Sequence, residues 1–499
     1  MKSFSEYRQA TGEYGVVEEL RHPLALVRGL PGATAGEVVV FESENFGQVT
    51  ALHHEQVEIM VLTKKKISPG EKVARTGQLL SIKIHDELLG HAIDPLGQSL
   101  FPDRPLSLQS AGEERLIDIA PPHINTRVNI KRPLTTGTSI IDLILTLGKG
   151  QREAVLGDPT TGKNSFLLTT TYAHAQEGGI VIYAAIGKPW NDIKKVYNFI
   201  DQKMNNKNVL LVATSAEDIP SLIILTPFTA MTLAEYWRDA GKDVLVIMDD
   251  LSTHARFYRE ISLLAHRFPA RESYPGDMFY LHARLLERAG NFSHATQKES
   301  SITCLPVAET VRGDVTGYIA SNLISITDGH LLFDEAVFSQ GRRPAINIPL
   351  SVTRVGGHTR NQLMRELHRK LIALLAKHEE AQKFTHFGAE LHESMQRVLD
   401  AGDRLNDFLS QPLFATIPNQ VQIIMAGLIW LGWLNNLKPS EVAAYRSNLI
   451  TAYQKNLAGK KLINKLATAP DLDTFVAQAR ERKNEIITLC QPTAISTPT

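Results

Sequence analysis

Eight residues, Gly157–Asn164 (GDPTTGKN), restrict what this chain can become more than any others. The apolar run EAVL precedes them and SFLLTTTYAHA, a helix candidate, follows, so the segment reads as the strand–loop–helix of a phosphate-binding loop. Gly157 and Gly162 let backbone N–H groups converge on phosphate oxygens, and the start of the helix adds partial positive charge. Asp158, Pro159, Thr160 and Thr161 form the body of the loop, and Lys163 is placed to neutralise β- and γ-phosphates. An ordinary strand-to-helix turn could share the Gly-Lys pair by chance, without this flanking pattern. The reading implies a bound nucleoside triphosphate, ATP first.

The loop's last position departs from the motif. A Ser or Thr hydroxyl ordinarily ligates Mg2+ there, and this chain has Asn164. Its amide carbonyl is an oxygen ligand on a longer side chain, whereas Mg2+ demands near-ideal octahedral geometry, so weakened or rearranged metal binding is expected. A carboxylate for the metal should end a later buried strand, at the edge where open α/β sheets bind ligands. VLVIMDD supplies Asp249 and Asp250 there. Asp249 is the metal candidate, while Asp250 fits a helix cap at least as well.

With 499 residues the chain exceeds one core, since cores stop growing at roughly 250–300 residues. From Gly15 to about Arg75, short β-rich runs (GVVEEL, PLALVRGL, GEVVVFES, GQVTALHH, EQVEIMVLT) are broken by turn residues, which predicts a small barrel or sandwich. Between Gln78 and Arg360, near-continuous apolar runs alternate with helical stretches, the mark of a largely parallel α/β sheet. Beyond Thr359, Leu363, Leu367, Leu371, Leu374 and Leu375 recur at helical spacing. The expected organisation is a β-barrel domain over 1–77, an α/β nucleotide-binding domain over 78–360 and a helical bundle over 361–499.

Charge narrows the function classes. Lys+Arg and Asp+Glu are equal at 53 each, so no basic excess points to nucleic acid. The two cysteines, Cys304 and Cys490, fit a reducing compartment and no disulfide framework or zinc site. The opening MKSFSEYRQATGEYG carries neither an apolar signal core nor an arginine-rich transit pattern. The most apolar run, Ile423–Leu434, is far short of the roughly 20 residues of a membrane helix, so any membrane association is expected through partners.

Four stretches carry a family likeness: RPLTTGTSIIDLILTLGKGQRE (132–153), YPGDMFYLHARLLERA (274–289), GDVTGYIASNLISITDGHLL (313–332) and GRRPAINIPLSVTRVGG (341–357). Together they resemble the α subunit of the F1 sector of rotary ATP synthases. The resemblance implies a β-barrel, a RecA-like P-loop domain and a C-terminal helical domain. It also implies an alternating ring of three α and three β subunits around a γ subunit, with stator subunits beside it. ATP or ADP with Mg2+ would be the ligands. The complex would couple ATP synthesis or hydrolysis to H+ or Na+ transport, peripheral on the cytoplasmic face of a bacterial inner membrane and attached through the F0 sector. In this family the sites built mainly by β do the chemistry, and α sites bind ATP without turning it over.

The residues favour that division. In catalytic relatives a Glu after the glycine that ends the next core strand polarises the attacking water. Here the strand is IVIYAAI and Gly187 is followed by Lys188, where an α subunit usually has Gln. An ammonium accepts no proton unless its pKa is pushed far down, and a solvated loop lysine in a shifted alignment would lack the base equally. Arg354, in SVTRVGG, matches the arginine that the family's α subunit points into the β site, where a guanidinium fork can meet charge on the transferring phosphoryl group. An interface ion pair is the plainer role for it. Ser351 matches a position required for activity and would hold that loop.

Arg343 and Pro344 match the family's base-contacting pair and Phe338 its aromatic neighbour, although a lone Phe is more often core. Gln411, in the shortened loop LSQPLFATIP, is the candidate for the opposite wall. Only about a dozen residues precede the first strand, which leaves the δ contact of the stator doubtful. With Asn164 and Lys188, this resembles the divergent α subunits of alternative, N-type rotary ATPases. Two other readings stay open: a self-sufficient homo-hexameric RecA-type NTPase (secretion ATPase or helicase), which would need its own Glu base, and a ring member that no longer binds nucleotide.

Overall fold

Short, alternating β-rich runs separated by turns have no helical face to bury, and in the computed structural model they close on themselves. The structure describes residues 2–101, 112–204, 207–293, 299–386, 393–412, 414–438 and 441–491; Leu413 of the shortened loop and the STPT end lie outside them. The strands β1 (Gly15–Arg21), β2 (Leu24–Arg28), β3 (Glu37–Phe41), β4 (Phe46–Leu52), β5 (Gln56–Val61) and β6 (Lys72–Leu79) form a closed barrel in the order β1-β2-β5-β4-β3-β6. Val17, Val27, Val39, Phe41, Ile59 and Val73 fill its interior. The strand β6 (KVARTGQL) runs on to Leu79 past the expected boundary at Gly77; its mostly polar letters hide it from a hydrophobicity reading.

The chain packs as two compact units, and these do not follow the three textures of the sequence. One comprises Met1–Val128, Ala175–Glu309 and Asp314–Thr327; the other comprises Asn129–His174, Thr310–Gly313 and Asp328–Thr499. The first contains the barrel and a run of parallel strands in the order Ala92–Ile93, Val209–Ser215, Ile180–Lys188, Asp243–Asp249 and Glu299–Glu309. Three of them (IVIYAAIGK, VLLVATS, DVLVIMD) are buried nearly end to end, as strands covered on both faces must be.

Two polar clusters lie in this unit's interior. Arg288 is fully buried and grips Glu235, Nε to Oε1 at 3.0 Å and Nη2 to Oε2 at 2.6 Å, while its remaining donors reach Thr232 Oγ1 and the Ile117 carbonyl. His254 and His282 are also fully buried, with His254 Nδ1 3.3 Å from His282 Nε2 and His254 Nε2 3.2 Å from the Ile224 carbonyl. Burial lowers the His254 pKa to about 4. A histidine depressed in the folded state stabilises it fully above its unfolded value of 6.5, and that contribution is lost as the pH falls towards the folded value. Between pH 6.5 and 5 the loss attributable to His254 should reach about 2 kcal/mol. Unfolding at a series of pH values should therefore give a flatter acid limb for His254→Gln than for the wild type; equal slopes would refute this.

The second unit holds the strand Ala154–Gly157, parallel to Gly329–Phe333, which in turn pairs antiparallel with Val352–Thr353. Helices Gln362–His386, Glu393–Leu409, Asn419–Trp430, Val442–Lys455, Leu457–Ala467, Leu472–Glu481 and Lys483–Cys490 follow. The Asn419–Trp430 helix opens directly after Pro418, whose fixed φ suits a helix start. Among the described residues no helix is long and apolar enough to cross a membrane. A buried carboxylate, Asp142, ties helix to turn: it accepts from Thr136 N and Oγ1, Gly137 N and Gln422 Nε2. The barrel, α/β and helical parts match the fold class expected from the sequence.

Candidate nucleotide-binding site

Gly157 ends its strand at φ 153°, and a Cβ there would stand 2.5 Å from the Phe333 carbonyl oxygen, so only glycine fits beside the neighbouring strand. Thr160 then takes φ 67° and Gly162 φ 96°, which turns the chain into the helix Lys163–Gln176. A threonine held at positive φ stores strain of order 1–3 kcal/mol, the sort of conformation that clusters at ligand sites. Thr161 Oγ1 donates to the Asp158 carbonyl at 2.7 Å. The buried Lys163 ammonium donates to the Gly157 and Asp158 carbonyls at 2.6 and 2.7 Å. Pro159, Thr160 and Asn164 are exposed.

Asp158 fastens the loop. Its carboxylate accepts from Thr310 Oγ1 at 2.6 Å and from Gly313 N at 2.9 and 3.0 Å, and Thr310 N reaches the Gly157 carbonyl at 3.1 Å. The Thr310–Gly313 partners were not foreseen, because nothing in DVTGY or AETVRG marks a contact 152 residues away in the chain.

A small cavity of about 30 Å3 opens beside the helix start, lined by Gly162, Phe166, Arg343, Pro344, Gln411 and Phe414 among others. The structure thus brings together the loop and three of the four base-side candidates. Phe338 is not among the lining residues; its ring lies 3.4 Å under the Arg343 guanidinium, which also donates to the Phe338 carbonyl at 2.7 Å. Gln411 lines the cavity with its amide already committed: Oε1 accepts from Ser139 N, and Nε2 donates to the Gly137 and Ala415 carbonyls. It acts as a splice between loop segments, so a base would have to be read by other groups. Phe166 and Phe414 are the aromatic walls that the sequence reading missed; Phe414, at φ 60° and 40% exposed, sits in the shortened loop itself.

Ser351 is buried and works as a staple. Its Oγ donates to the Asn347 carbonyl at 2.7 Å and accepts from Leu332 N at 3.0 Å, which pins the 347–351 turn to the Gly329–Phe333 strand. Three residues on, Arg354 N donates to the Asp328 carbonyl at 3.0 Å. The Asp328 carboxylate is held in turn by Arg152, through its backbone N and a two-point guanidinium grip. The Arg354 side chain is exposed and makes no ion pair or hydrogen bond among the described residues.

In the first unit, Lys188 ends one strand and Asp249 the next, with Ala185 and Asp249 in register. Lys188 is no solvated loop residue. Its side chain is 18% exposed, and its Nζ lies 2.7 Å from Asp249 Oδ1 and 2.9 Å from Asp250 Oδ2. Burial acts to lower the Lys188 pKa, but the two carboxylates outweigh it and hold the ammonium above its usual range. At Asp249 the balance tips the other way, and complete burial raises the carboxyl despite the lysine.

The expected metal role of Asp249 meets an obstacle here. Asp249 Oδ2 accepts from Tyr183 OH at 2.9 Å, and Asp250 Oδ1 caps the helix Leu251–Leu264 by accepting from Thr253 N at 2.6 Å. Three of the four carboxylate oxygens thus accept a hydrogen bond, while the buried Asp249 Oδ1 faces the Lys188 ammonium as an ion pair and has no hydrogen-bond partner among the described residues. The phosphate loop ends in Asn164, without the hydroxyl that ordinarily ligates Mg2+, although the loop itself fits a phosphate chain.

Comparison with known proteins agrees with this layout. Residues 137–353 match the ATP synthase alpha/beta family nucleotide-binding domain, and residues 361–483 match the C-terminal domain of the ATP synthase alpha/beta chain. An ATP synthase subunit alpha from Clostridium acetobutylicum is 34% identical over 478 residues, covering 95% of this chain and 94% of that relative. The chain belongs to the ATP synthase alpha/beta family, as one of its alpha subunits.

Proposed function

We propose that this alpha subunit holds ATP or ADP on its phosphate loop without turning it over, and completes the catalytic site of an adjacent beta subunit with Arg354. The observation that carries the reading is Lys188: where a catalytic relative has a carboxylate base, this chain has an ammonium locked between two carboxylates. Such a group cannot take a proton from water. The exposed Arg354 guanidinium, without a hydrogen bond or salt bridge among the described residues, supports the second half, and Ser351 is the positioning residue for its loop. In this reading the subunit alternates with beta around gamma, with stator subunits alongside. It couples nucleotide chemistry to H+ or Na+ movement from the cytoplasmic face of a bacterial inner membrane, attached through the membrane sector.

The purified chain should retain nucleotide after gel filtration yet hydrolyse ATP about 10²–10⁴-fold more slowly than the same chain reassembled with its beta partner, the usual worth of a positioned base. Steady-state assays on both preparations decide it. Equal rates would make the chain a self-sufficient NTPase and end the proposal.

A further inference from the structure

Behind the exposed head of Arg354 lies a buried carboxyl that the phosphate loop and its cavity do not use. Glu153, immediately before the strand Ala154–Gly157, is 0% exposed. Its Oε2 accepts one hydrogen bond, from Gln151 Nε2 at 2.8 Å, and its Oε1 is buried without a hydrogen-bond partner among the described residues. Backbone closes over it: a Cβ on Gly329 would lie 2.7 and 2.9 Å from the two carboxyl oxygens. Gly329 in turn pairs with Thr353, the residue before Arg354. An anion so enclosed, with a single donor, is costly enough that the group keeps its proton instead. Burial raises the Glu153 pKa well above its ordinary value and the charge of Asp328 acts the same way, while the Gln151 bond and the charge of Arg354 oppose them without prevailing. His330, in register with Val352, is also held towards its neutral form, first by burial and then by the Arg354 charge, against the bond to the Leu350 carbonyl. The Asp328 carboxylate is gripped by Arg152.

Gln151 connects this acid to the arginine. It is fully buried, its Oε1 accepts from Gly148 N at 2.8 Å, and its Nε2 donates both to Glu153 Oε2 and, at 3.0 Å, to Thr353 Oγ1. Thr353 Oγ1 donates onward to the Thr146 carbonyl at 3.2 Å. From this geometry we infer that Glu153 is a positioning residue for Arg354, an uncharged acid that fixes the Gln151 amide against Thr353 and leaves the guanidinium unquenched from behind. This rests on the arginine-finger role proposed above. An ionised carboxyl here would attract the guanidinium back towards its own subunit, and at short range in a poorly solvated setting such attraction is strong. An apolar residue would leave the Gln151 amide with one anchor fewer and so loosen the strand Val352–Thr353 that carries the arginine. The neutral acid does neither.

The test is steady-state ATPase of the assembled complex built with variant alpha chains. Glu153→Gln keeps an uncharged acceptor for Gln151 and should turn over within about threefold of the wild type. Glu153→Met and Thr353→Val each remove one link, and each should lower turnover about tenfold with KM within about twofold, since a small misplacement of a group acting on the transition state costs up to about 10²-fold. Thr353→Val is nearly isosteric and suits a strand, so it carries the test should Glu153→Met fail to fold by circular dichroism. In an Arg354→Lys background neither change should lower turnover further, because residues acting through one group are not additive. A loss in Glu153→Gln as large as in Glu153→Met would mean that the carboxyl works as an anion, and overturns the inference. So would wild-type turnover in Thr353→Val, or full additivity with Arg354→Lys. Wild-type turnover in Arg354→Lys alone, measured without any change at Glu153, is instead the failure of the finger role, and the inference falls with it.

Discussion

Arg354→Lys should lower ATP turnover of the assembled complex by about 10³-fold while leaving ring assembly and bound nucleotide intact. That factor corresponds to about 4 kcal/mol of transition-state stabilisation. Lysine keeps the charge but offers a single point donor on a flexible stem, whereas guanidinium presents two N–H groups in a fixed fork to the oxygens of a phosphoryl group. The arginine's setting suits such use: its backbone is fixed to Asp328, its supporting turn is stapled by Ser351, and its head is exposed, with no hydrogen bond or salt bridge among the described residues. Because the side chain is exposed, makes no hydrogen bond or salt bridge among the described residues, and lysine keeps the charge that Glu153 feels, stability should be little changed. Steady-state ATPase of the variant complex, with nucleotide content measured in parallel, checks both halves. Wild-type turnover would remove the finger from the account, and loss of assembly would recast Arg354 as an interface residue.

The largest stability effect should come from Arg288→Met. The guanidinium is 0% exposed and Glu235 2%, and four hydrogen bonds converge on the arginine. Methionine fills a similar volume but strips the buried Glu235 carboxylate of both its short guanidinium bonds, leaving only Arg238 Nη1 at 3.8 Å as a counter-charge. Breaking a buried pair in this way costs about 3–5 kcal/mol, and removing both charges together restores much of the loss. Urea unfolding followed by circular dichroism should thus show a strong shift for Arg288→Met and a clear recovery for Arg288→Met/Glu235→Leu. A shift below about 1 kcal/mol would mean the site rearranges or hydrates, as exposed pairs do.

What could be read beforehand was whatever the backbone alone demands. GDPTTGKN was legible because Gly157 answers a close approach and Gly162 a left-handed turn, and such needs write themselves locally into the sequence. The buried parallel strands announced themselves by uninterrupted apolar letters, and the barrel by its turns, save for β6, whose side chains are largely polar. Pairings across the fold were another matter. Lys188 was read as the wrong residue for a base, yet its destination depends on the register between two strands, and its Asp250 partner lies 62 residues away in the chain. Asp250 was legible as a cap because its partner Thr253 is close in sequence. Gln411 looked like a base contact because amides in that loop suggest one, and only coordinates reveal that backbone groups already claim both ends of its amide. Phe414 and Phe166 were overlooked for the same reason: a lone aromatic carries no sign of the cavity it borders.

The short strand Ala154–Gly157 has an anchor at each end. Just before it, Arg152 holds Asp328, whose carbonyl receives the Arg354 N–H; just after it begins the loop proposed to cradle phosphate. From Arg152 to Gly157 the extended backbone spans roughly 16 Å. In the function proposed above, the chain's own ligand and the arginine offered to a neighbour are thus mounted on opposite ends of one stiff beam. A natural variant that retunes one end inherits a tilt at the other, so selection acting on either trait would have to accept both.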